Sequence, residues 1–163
     1  MKKLLLFIAL TTFGLGLNAQ NVGDVTTTDY DGYSLEFEIT SVSPAECEVR
    51  CGSKPTTKTT LTIPDNVLIN ETSFSVTSIP DSAFLECNKF TGDLVIPNTV
   101  KSVGIRAFRD CTGFTGSLTL SENLETIGDL AFAGGGDIEV NYTGDLIIPN
   151  SVTYIGVGTF YGC

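Results

Sequence analysis

The amino-acid sequence predicts a β-rich solenoid, in which coils of short strands with one helical turn each stack in register behind an N-terminal β-hairpin cap. Three observations predict this fold. Three segments align without gaps over 18 residues, their apolar residues recur at fixed offsets, and the region before them alternates apolar and polar residues as strands do. One coil alone would expose its apolar side, so neighbouring coils must share a core.

The first 19 residues have the order of a secretory signal peptide. Lys2 and Lys3 precede an apolar run from Leu4 to Leu17, and Ala19 provides a small residue for cleavage. A buried helix or a membrane anchor is the alternative, but the run is shorter than the ~20 residues that a bilayer core requires. We therefore expect a chain that is secreted or displayed on the cell surface, with no transmembrane segment after cleavage.

Composition excludes several classes of function. The 163 residues include 9 basic and 19 acidic ones and no histidine. Cleavage of the signal peptide removes two of the basic residues and changes the formal net charge from −10 to −12, a balance that disfavours nucleic acid as a partner. Without histidine there is no Ser-His-Asp or Cys-His machinery and no histidine-ligated zinc. We expect that the chain is not an enzyme and that it binds no cofactor or metal.

Residues 20–60 do not repeat and are expected to form the cap and a linker. Leu35, Phe37 and Ile39 alternate with polar residues, which predicts a half-buried strand after a tight turn at Asp31-Gly32. A calcium loop at this turn is the alternative, but it lacks the remaining carboxylates. The alternation of Cys47, Val49 and Cys51 predicts a second strand that pairs with the first.

Residues 61–163 are the repeat region, with about four copies. The aligned copies are 94–111, 118–135 and 146–163. An earlier copy, 61–87, is interrupted by nine extra residues, 68–76, which we expect to form a hairpin extruded from the coil. A Phe/Tyr-Thr-Gly segment links each copy to the next, and the third copy carries four more residues around 137–140. The fourth copy ends at Cys163 without that link, so we expect it to be truncated.

Each copy has a strand, a bend and a compact turn. In the second copy Leu94 begins a strand that Pro97 ends, because proline has no amide to donate. Gly104 follows where the chain must bend sharply, and we expect a positive φ there and at its equivalents, Gly128 and Gly156. The three-residue spacing between Phe108 and Cys111 predicts one helical turn with both side chains facing inward.

The recurring apolar residues predict a continuous core. One set of phenylalanines should stack as a single column, and one set of thiols should lie beside it: Phe84, Phe108, Phe132 and Phe160, with Cys87, Cys111 and Cys163. We expect buried thiols there, although a bridge between Cys87 and Cys111 is geometrically allowed at ~5 Å strand spacing. Cys47 and Cys51 lie about 13 Å apart along a straight strand and cannot pair with each other.

The pattern L-x-I-P-x-x-V-x-x-I-G-x-x-A-F-x-x-C resembles the BspA-type leucine-rich repeat of bacterial surface proteins, over residues 61–163. Local departures are Pro80 for glycine, Ser121 for proline, Gly135 for cysteine and Thr159 for alanine. The resemblance implies leucine-rich-repeat coils and an adhesin-like protein that binds extracellular protein or glycan ligands. The alternative is a non-catalytic spacer or targeting module of a larger secreted protein whose active domain lies beyond residue 163.

Specificity should lie at repeat positions that are free to vary and project outward. Tyrosine and arginine are favoured at binding hot spots, so the candidate ligand-binding residues are Arg106, Arg109, Tyr154 and Tyr161. The alternative for each is ordinary solvated repeat surface. The two positions before the second inward residue of each copy also vary: Thr77-Ser78, Lys101-Ser102, Glu125-Thr126 and Thr153-Tyr154.

Overall fold

The computed structural model describes residues 20–135 and 139–163. The predicted signal peptide (1–19) and part of the predicted four-residue insertion in the third copy lie outside the described residues. The strands are β1 (Val25–Tyr30), β2 (Tyr33–Val42), β3 (Ala45–Ser53), β4 (Asn66–Ile69), β5 (Thr72–Ile79), β6 (Gly92–Val95), β7 (Ser102–Val103), β8 (Phe114–Thr119), β9 (Thr126–Ile127) and β10 (Tyr154–Ile155).

The strands form a main sheet of eight and a second sheet of two. The main sheet has the order β1-β2-β3-β5-β7-β9-β10, with β4 paired to β5, and the second sheet joins β6 to β8. In the part of the chain that the structure describes there is no α- or 3₁₀-helix. Consequently no helical segment there has the length and hydropathy to cross a bilayer.

The N-terminal region is a three-stranded antiparallel sheet. β1 and β2 form a hairpin with Tyr30 opposite Tyr33, and Gly32 in the turn has a φ of 88°, so the tight turn at Asp31-Gly32 is confirmed. β2 pairs with β3 through Phe37 and Val49, among others, which confirms the predicted pair of strands. The Thr-rich β1 was not predicted.

This sheet continues directly into the solenoid. β3 runs parallel to β5, with Cys47 opposite Val76 and Glu48 opposite Ser78. Both Cys47 and Val76 are fully buried. The N-terminal sheet therefore shares its core with the first coil.

The extra residues of the first copy form a hairpin, as predicted. β4 and β5 are antiparallel, with Ile69 opposite Thr72. The turn between them uses Asn70 and Glu71, which have φ values of 47° and 68°. Because β5 also pairs with β3 and β7, the hairpin interrupts the first coil without breaking the ladder.

The coils stack in register through parallel strands. We name the repeat segments 61–87, 94–111, 118–135 and 146–163 the first to fourth coils. Ile79 pairs with Val103, which pairs with Ile127, which pairs with Ile155. On another side of the stack Leu94 of β6 pairs with Leu118 of β8. These apolar positions line one shared core, except Ile155 at the end of the main sheet, which is 44% exposed.

The predicted helical turn in each coil is wrong: the segment is a run of tight turns. In the second coil the amides of Ala107, Arg109 and Cys111 each donate to the carbonyl three residues earlier. The alternate amides, those of Arg106, Phe108 and Asp110, donate instead to carbonyls of the third coil at 2.7–2.9 Å. Since an α-helix would keep all of these donors within the segment, bonding between coils excludes the helix.

Positive φ values at non-glycine residues accompany these turns. Arg106 and Asp110 have φ values of 56° and 60°, and Leu130 has 56°. The equivalents in the fourth coil are glycines, Gly158 and Gly162, with φ values of 63° and 71°. The inward placement that the helical spacing predicted is nevertheless found, because Ala107, Phe108 and Cys111 are all fully buried.

Two columns of aromatic rings run through the stack. In the predicted column the ring centroids of Phe84 and Phe108 lie 4.9 Å apart, those of Phe108 and Phe132 5.6 Å, and those of Phe132 and Phe160 5.7 Å, with interplanar angles of 3–4°. A second column, from the linking segments, joins Phe90, Phe114 and Tyr142 at 6.2 and 6.3 Å. The stacked coils predicted from the repeats are therefore confirmed.

The glycines that follow the short strands have a different role from the one predicted. Gly104, Gly128 and Gly156 do not have positive φ. They are needed because the coils approach closely: a Cβ on Gly104 would lie 2.5 Å from the Asp81 amide nitrogen, and one on Gly128 would lie 2.6 Å from Ile105 N.

Carboxylates reinforce the contacts between coils. Asp81 accepts a hydrogen bond from the Ile105 amide at 2.6 Å, and Asp93 accepts from the amide and hydroxyl of Ser117 at 2.6 and 2.9 Å. These hydrogen bonds lower the pKa of Asp93, because they favour its charged form. Each bond spans one repeat and holds adjacent coils in register.

A candidate ligand-binding face

The outer face of the main sheet carries a row of polar side chains. Glu48, Ser78, Ser102, Thr126 and Tyr154 are register partners on five neighbouring strands, β3, β5, β7, β9 and β10. The first four are each followed along the strand by a buried core residue, so their side chains project to the opposite side. Tyr154 continues the row on the last strand, where the next residue, Ile155, is 44% exposed. At ~4.8 Å per strand the row spans about 19 Å.

This row lies in an open groove. The groove has a volume of about 650 Å³, and Ser78, Ser102, Thr126 and Tyr154 line it together with Asp81. Serine and threonine hydroxyls both donate and accept hydrogen bonds, whereas the carboxylate only accepts. The shape and chemistry of the groove therefore suit an extended polar ligand better than a small enclosed one.

The two ends of the groove differ. Arg50 lies at the N-terminal end, where it pairs with Glu38 at 2.7 Å and also contacts Glu48. At the other end the Tyr154 side chain is half exposed, and its hydroxyl lies 3.5 Å from Asp129 Oδ1. One end thus offers charges and the other an aromatic ring.

A second groove of about 470 Å³ lies beside the first. Lys101 is near its middle, with Nζ 3.4 Å from Glu46 Oε1, and Glu125 lies one coil further on. Asn98 and Asn123 line its edge, where the Asn123 side-chain amide donates to the Asn98 carbonyl at 2.9 Å. The second groove thus places charged and amide side chains beside the row of hydroxyls.

The structure does not bring the four predicted ligand-binding residues together. Tyr154 lies in the first groove. Arg106 and Tyr161 are exposed, but both belong to the tight turns of their coils. Arg109 also lies in a turn, where its Nε is 3.4 Å from Asp110 Oδ2. Sheet and turns are separate parts of each coil, so at most Tyr154 shares a site with the hydroxyl row.

Sequence reasoning missed the N-terminal end of the groove. The alternation of Glu46 and Glu48 is typical of the solvated face of a strand, and nothing in the sequence places them or Arg50 beside the repeats. Their place beside the repeats depends on the parallel pairing of β3 with β5, which joins a non-repeating segment to the first coil. The alternation of charged residues along β3 was the only available signal.

No metal site is found among residues 20–135 and 139–163: no group of three or more Cys, Asp or Glu side chains could hold an ion. The five cysteines are free thiols, and Cys47, Cys87 and Cys111 are buried. Burial raises the pKa of the Cys47 and Cys111 thiols to about 12 in each case, since an apolar surrounding disfavours the thiolate. These two thiols act as small apolar side chains.

Stacked parallel coils with two aromatic columns and a polar outer sheet define a bacterial-type leucine-rich-repeat solenoid. The family model described as the BspA type leucine rich repeat region matches residues 77–163 in 6 copies, and the chain therefore belongs to this family. Our own alignment of the repeat segments predicted about four copies, fewer than the 6 that the family model finds. No curated protein sequence matches the chain significantly.

Solved structures of similar fold are bacterial leucine-rich-repeat proteins. One from Bacteroides capillosus is 25% identical, with a TM-score of 0.54 over 80% of this chain and 97% of that one. One from Bacteroides ovatus is 26% identical, with a TM-score of 0.52 over 77% of this chain and 37% of that one. The leucine-rich-repeat protein of T. pallidum is 21% identical, with a TM-score of 0.54 over 83% and 67%.

Proposed function

We propose that this chain is an extracellular or cell-surface binding protein, adhesin-like in role, that recognises a protein or glycan ligand through the outer face of its main sheet. The observation that carries the proposal is the row Glu48–Ser78–Ser102–Thr126–Tyr154, which lines an open groove. Every member has a polar group, and the row is long enough for several units of a polymer. We propose protein or glycan, and not a nucleic acid, because the formal net charge is −10.

The chemistry of the groove supports binding without catalysis. Hydroxyls, one guanidinium and carboxylates provide hydrogen bonds, and the ring of Tyr154 provides an apolar surface for stacking. Repeat folds of this kind are typically non-catalytic, and the sequence has no histidine for acid-base chemistry near neutral pH. We propose that the chain is not an enzyme and needs no cofactor.

Export is part of the proposal. The order of Lys2-Lys3, the apolar run and Ala19 supports a signal peptide over residues 1–19. The following regions would then be an N-terminal β cap with linker (20–60) and the repeats (61–163). The BspA-type resemblance supports a surface location, since proteins of this type are associated with adhesion to host matrix and to other cells.

Within the proposed site, Tyr154 is the strongest single candidate. It is 54% exposed and lies in the groove, and tyrosine contributes large contact area at low entropic cost. Tyr161, which is 61% exposed, and Arg106 lie on the turns outside the groove and are weaker candidates. Arg109 is the weakest of the four because Asp110 already engages its side chain.

The test is a binding screen with a matched pair of variants. The purified protein is screened against panels of extracellular matrix proteins and glycans, and any ligand found is titrated against Ser102→Arg and Thr119→Arg. Ser102 lies at the centre of the groove, whereas Thr119 is exposed on β8 of the second sheet. We expect Ser102→Arg to weaken binding at least tenfold, about 1.4 kcal/mol, and Thr119→Arg to leave it unchanged.

Equal affinities for both variants would contradict a site in the groove. An absence of binding to every panel member, with the fold intact, would favour the alternative function, a non-catalytic spacer or targeting module of a larger secreted protein. The 37% coverage of the Bacteroides ovatus chain is consistent with such coils occurring as part of a longer protein.

A further inference from the structure

Two cysteines meet at the junction between the N-terminal sheet and the first coil. Cys51 lies near the end of β3, and its amide donates to the Ala83 carbonyl of the first coil at 2.9 Å. Cys87 lies four residues after Ala83, in the turn segment of that coil. This backbone contact brings Cys51 beside the turn segment that carries Cys87, and there the two thiols interact although 36 positions separate residues 51 and 87.

The surroundings of the two thiols differ in a way that favours reaction between them. The hydrogen bond from Cys87 and the nearby Lys54 ammonium lower the pKa of Cys51. The same hydrogen bond and burial raise the pKa of Cys87. Cys51 is also half-buried, whereas Cys87 is buried. An accessible thiol of lowered pKa beside a second thiol is the arrangement in which thiol–disulfide exchange is fast.

The Cys51 thiol also lies 3.3 Å from the Ser53 carbonyl oxygen, and three further thiols each contact a backbone carbonyl. The Cys111 thiol donates to the Phe84 carbonyl at 3.0 Å, and the Cys163 thiol donates to the Phe132 carbonyl at 3.2 Å. Cys47 lies on the core side of β3, with its sulfur 3.6 Å from the Ser75 carbonyl oxygen. Cys111 is fully buried, so an oxidant reaches it less easily than the half-buried Cys51.

We propose that Cys51 and Cys87 are the site of a disulfide bond that ties the N-terminal sheet to the first coil. The Cys51 thiolate attacks one sulfur of an oxidising disulfide, such as glutathione disulfide or a disulfide-donating protein, and releases the other sulfur as a thiolate. The Cys87 thiol then loses its proton and attacks the Cys51 sulfur, which releases the second thiolate. Two protein thiols are oxidised and one disulfide is reduced to two thiols.

In the cell this bond rests on the proposed export, because cytosolic thiols are kept reduced. With purified protein the bond can be tested whether or not the chain is exported. The proposed disulfide and the proposed function can therefore fail separately. A bridge across 36 residues restricts the unfolded chain and should stabilise the junction. The bond would also hold the N-terminal end of the polar row, which includes Glu48, in place beside the first coil.

The experiment compares reduced and oxidised protein. The folded protein is incubated with glutathione disulfide, blocked with N-ethylmaleimide and digested for mass spectrometry. We expect loss of two hydrogen atoms, one cross-linked peptide pair that contains Cys51 and Cys87, and a thermal midpoint raised by roughly 5–10 °C over the reduced protein.

Three variants serve as controls. Cys51→Ser and Cys87→Ser should each abolish both the cross-link and the rise in midpoint, and Cys163→Ser should retain both. Because Cys51 is half-buried at the edge of the core, its variant keeps the test meaningful if Cys87→Ser does not fold. Complete alkylation of Cys51 and Cys87 after oxidation, or a cross-link between Cys87 and Cys111, would overturn the proposal.

Discussion

Single residues control how closely the coils approach each other. Gly104 follows β7, where the chain passes directly over Asp81 and Pro80 of the first coil. A methyl group there would overlap backbone atoms, which cannot move without separating the coils. Glycine is required at this position for steric reasons, so even the methyl side chain of alanine is excluded.

We predict that Gly104→Ala lowers the free energy of unfolding by about 1–3 kcal/mol, the usual cost of overpacking. The added Cβ would lie 2.5 Å from the Asp81 amide nitrogen and 2.7 Å from the Pro80 carbonyl carbon. Urea denaturation of this variant and of Thr119→Ala, an exposed control on β8, measures the difference. Identical midpoints for the two variants would disprove the steric role.

At the scale of elements, the aromatic columns join the coils in addition to the two-residue strands. Phe108 is fully buried between two parallel rings, whereas Phe160 is half-buried and stacks on one ring. Each ring pair adds about 0.5–1.5 kcal/mol to the burial of its area. A ring inside the column therefore contributes more than one at its end.

We predict that Phe108→Ala costs about 3–5 kcal/mol of unfolding free energy, as expected for an aromatic ring removed from a core, and that Phe160→Ala costs clearly less. Chemical denaturation of both variants provides the comparison. An equal loss would mean that a ring inside the column contributes no more to stability than a ring at its end.

One of the two aromatic columns was predicted from the sequence, but the tight turns that carry its rings could not be. The recurrence of Phe84, Phe108 and Phe132 at one offset leaves one arrangement, because each coil must hide its apolar side against the next. The spacing of Phe108 and Cys111 was ambiguous: a helical turn and a pair of tight turns both bring residues three apart to one side. The positive φ at Arg106 and Leu130 has no signal in the residue types, since neither favours that conformation.

The candidate site, too, could be predicted only in part from the sequence. Ser78, Ser102, Thr126 and Tyr154 occupy variable repeat positions, so the repeat pattern could predict that they share one face. The contribution of Glu48 and Arg50 could not be predicted, because it depends on which strand of the first coil meets β3. The predicted role of the N-terminal sheet as a cap stays a prediction.

For the whole molecule, the described interactions join each coil mainly to its neighbours. The amides of Phe84, Phe108 and Phe132 each donate to a carbonyl of the next coil at 2.7–2.9 Å. Stability should then be a sum of local terms, and damage in one coil should stay near that coil.

We predict that Phe160→Ala accelerates amide hydrogen exchange in the third and fourth coils and leaves the N-terminal sheet unchanged. Gly156 and Phe132, whose amides bond across the last interface, should exchange faster, and Phe37 in β2 should not. Hydrogen exchange followed by mass spectrometry resolves the two regions. Uniform acceleration along the chain would instead indicate a single cooperative unit.

The alternate amides that leave each turn segment also have an evolutionary consequence. Every coil presents the same order of donors to one neighbour and of acceptors to the other, so a duplicated gene segment of one repeat encodes a coil that already matches both. Such a protein can lengthen or shorten by copying or losing repeats, and each new copy then diverges at the outward positions while its core residues stay fixed.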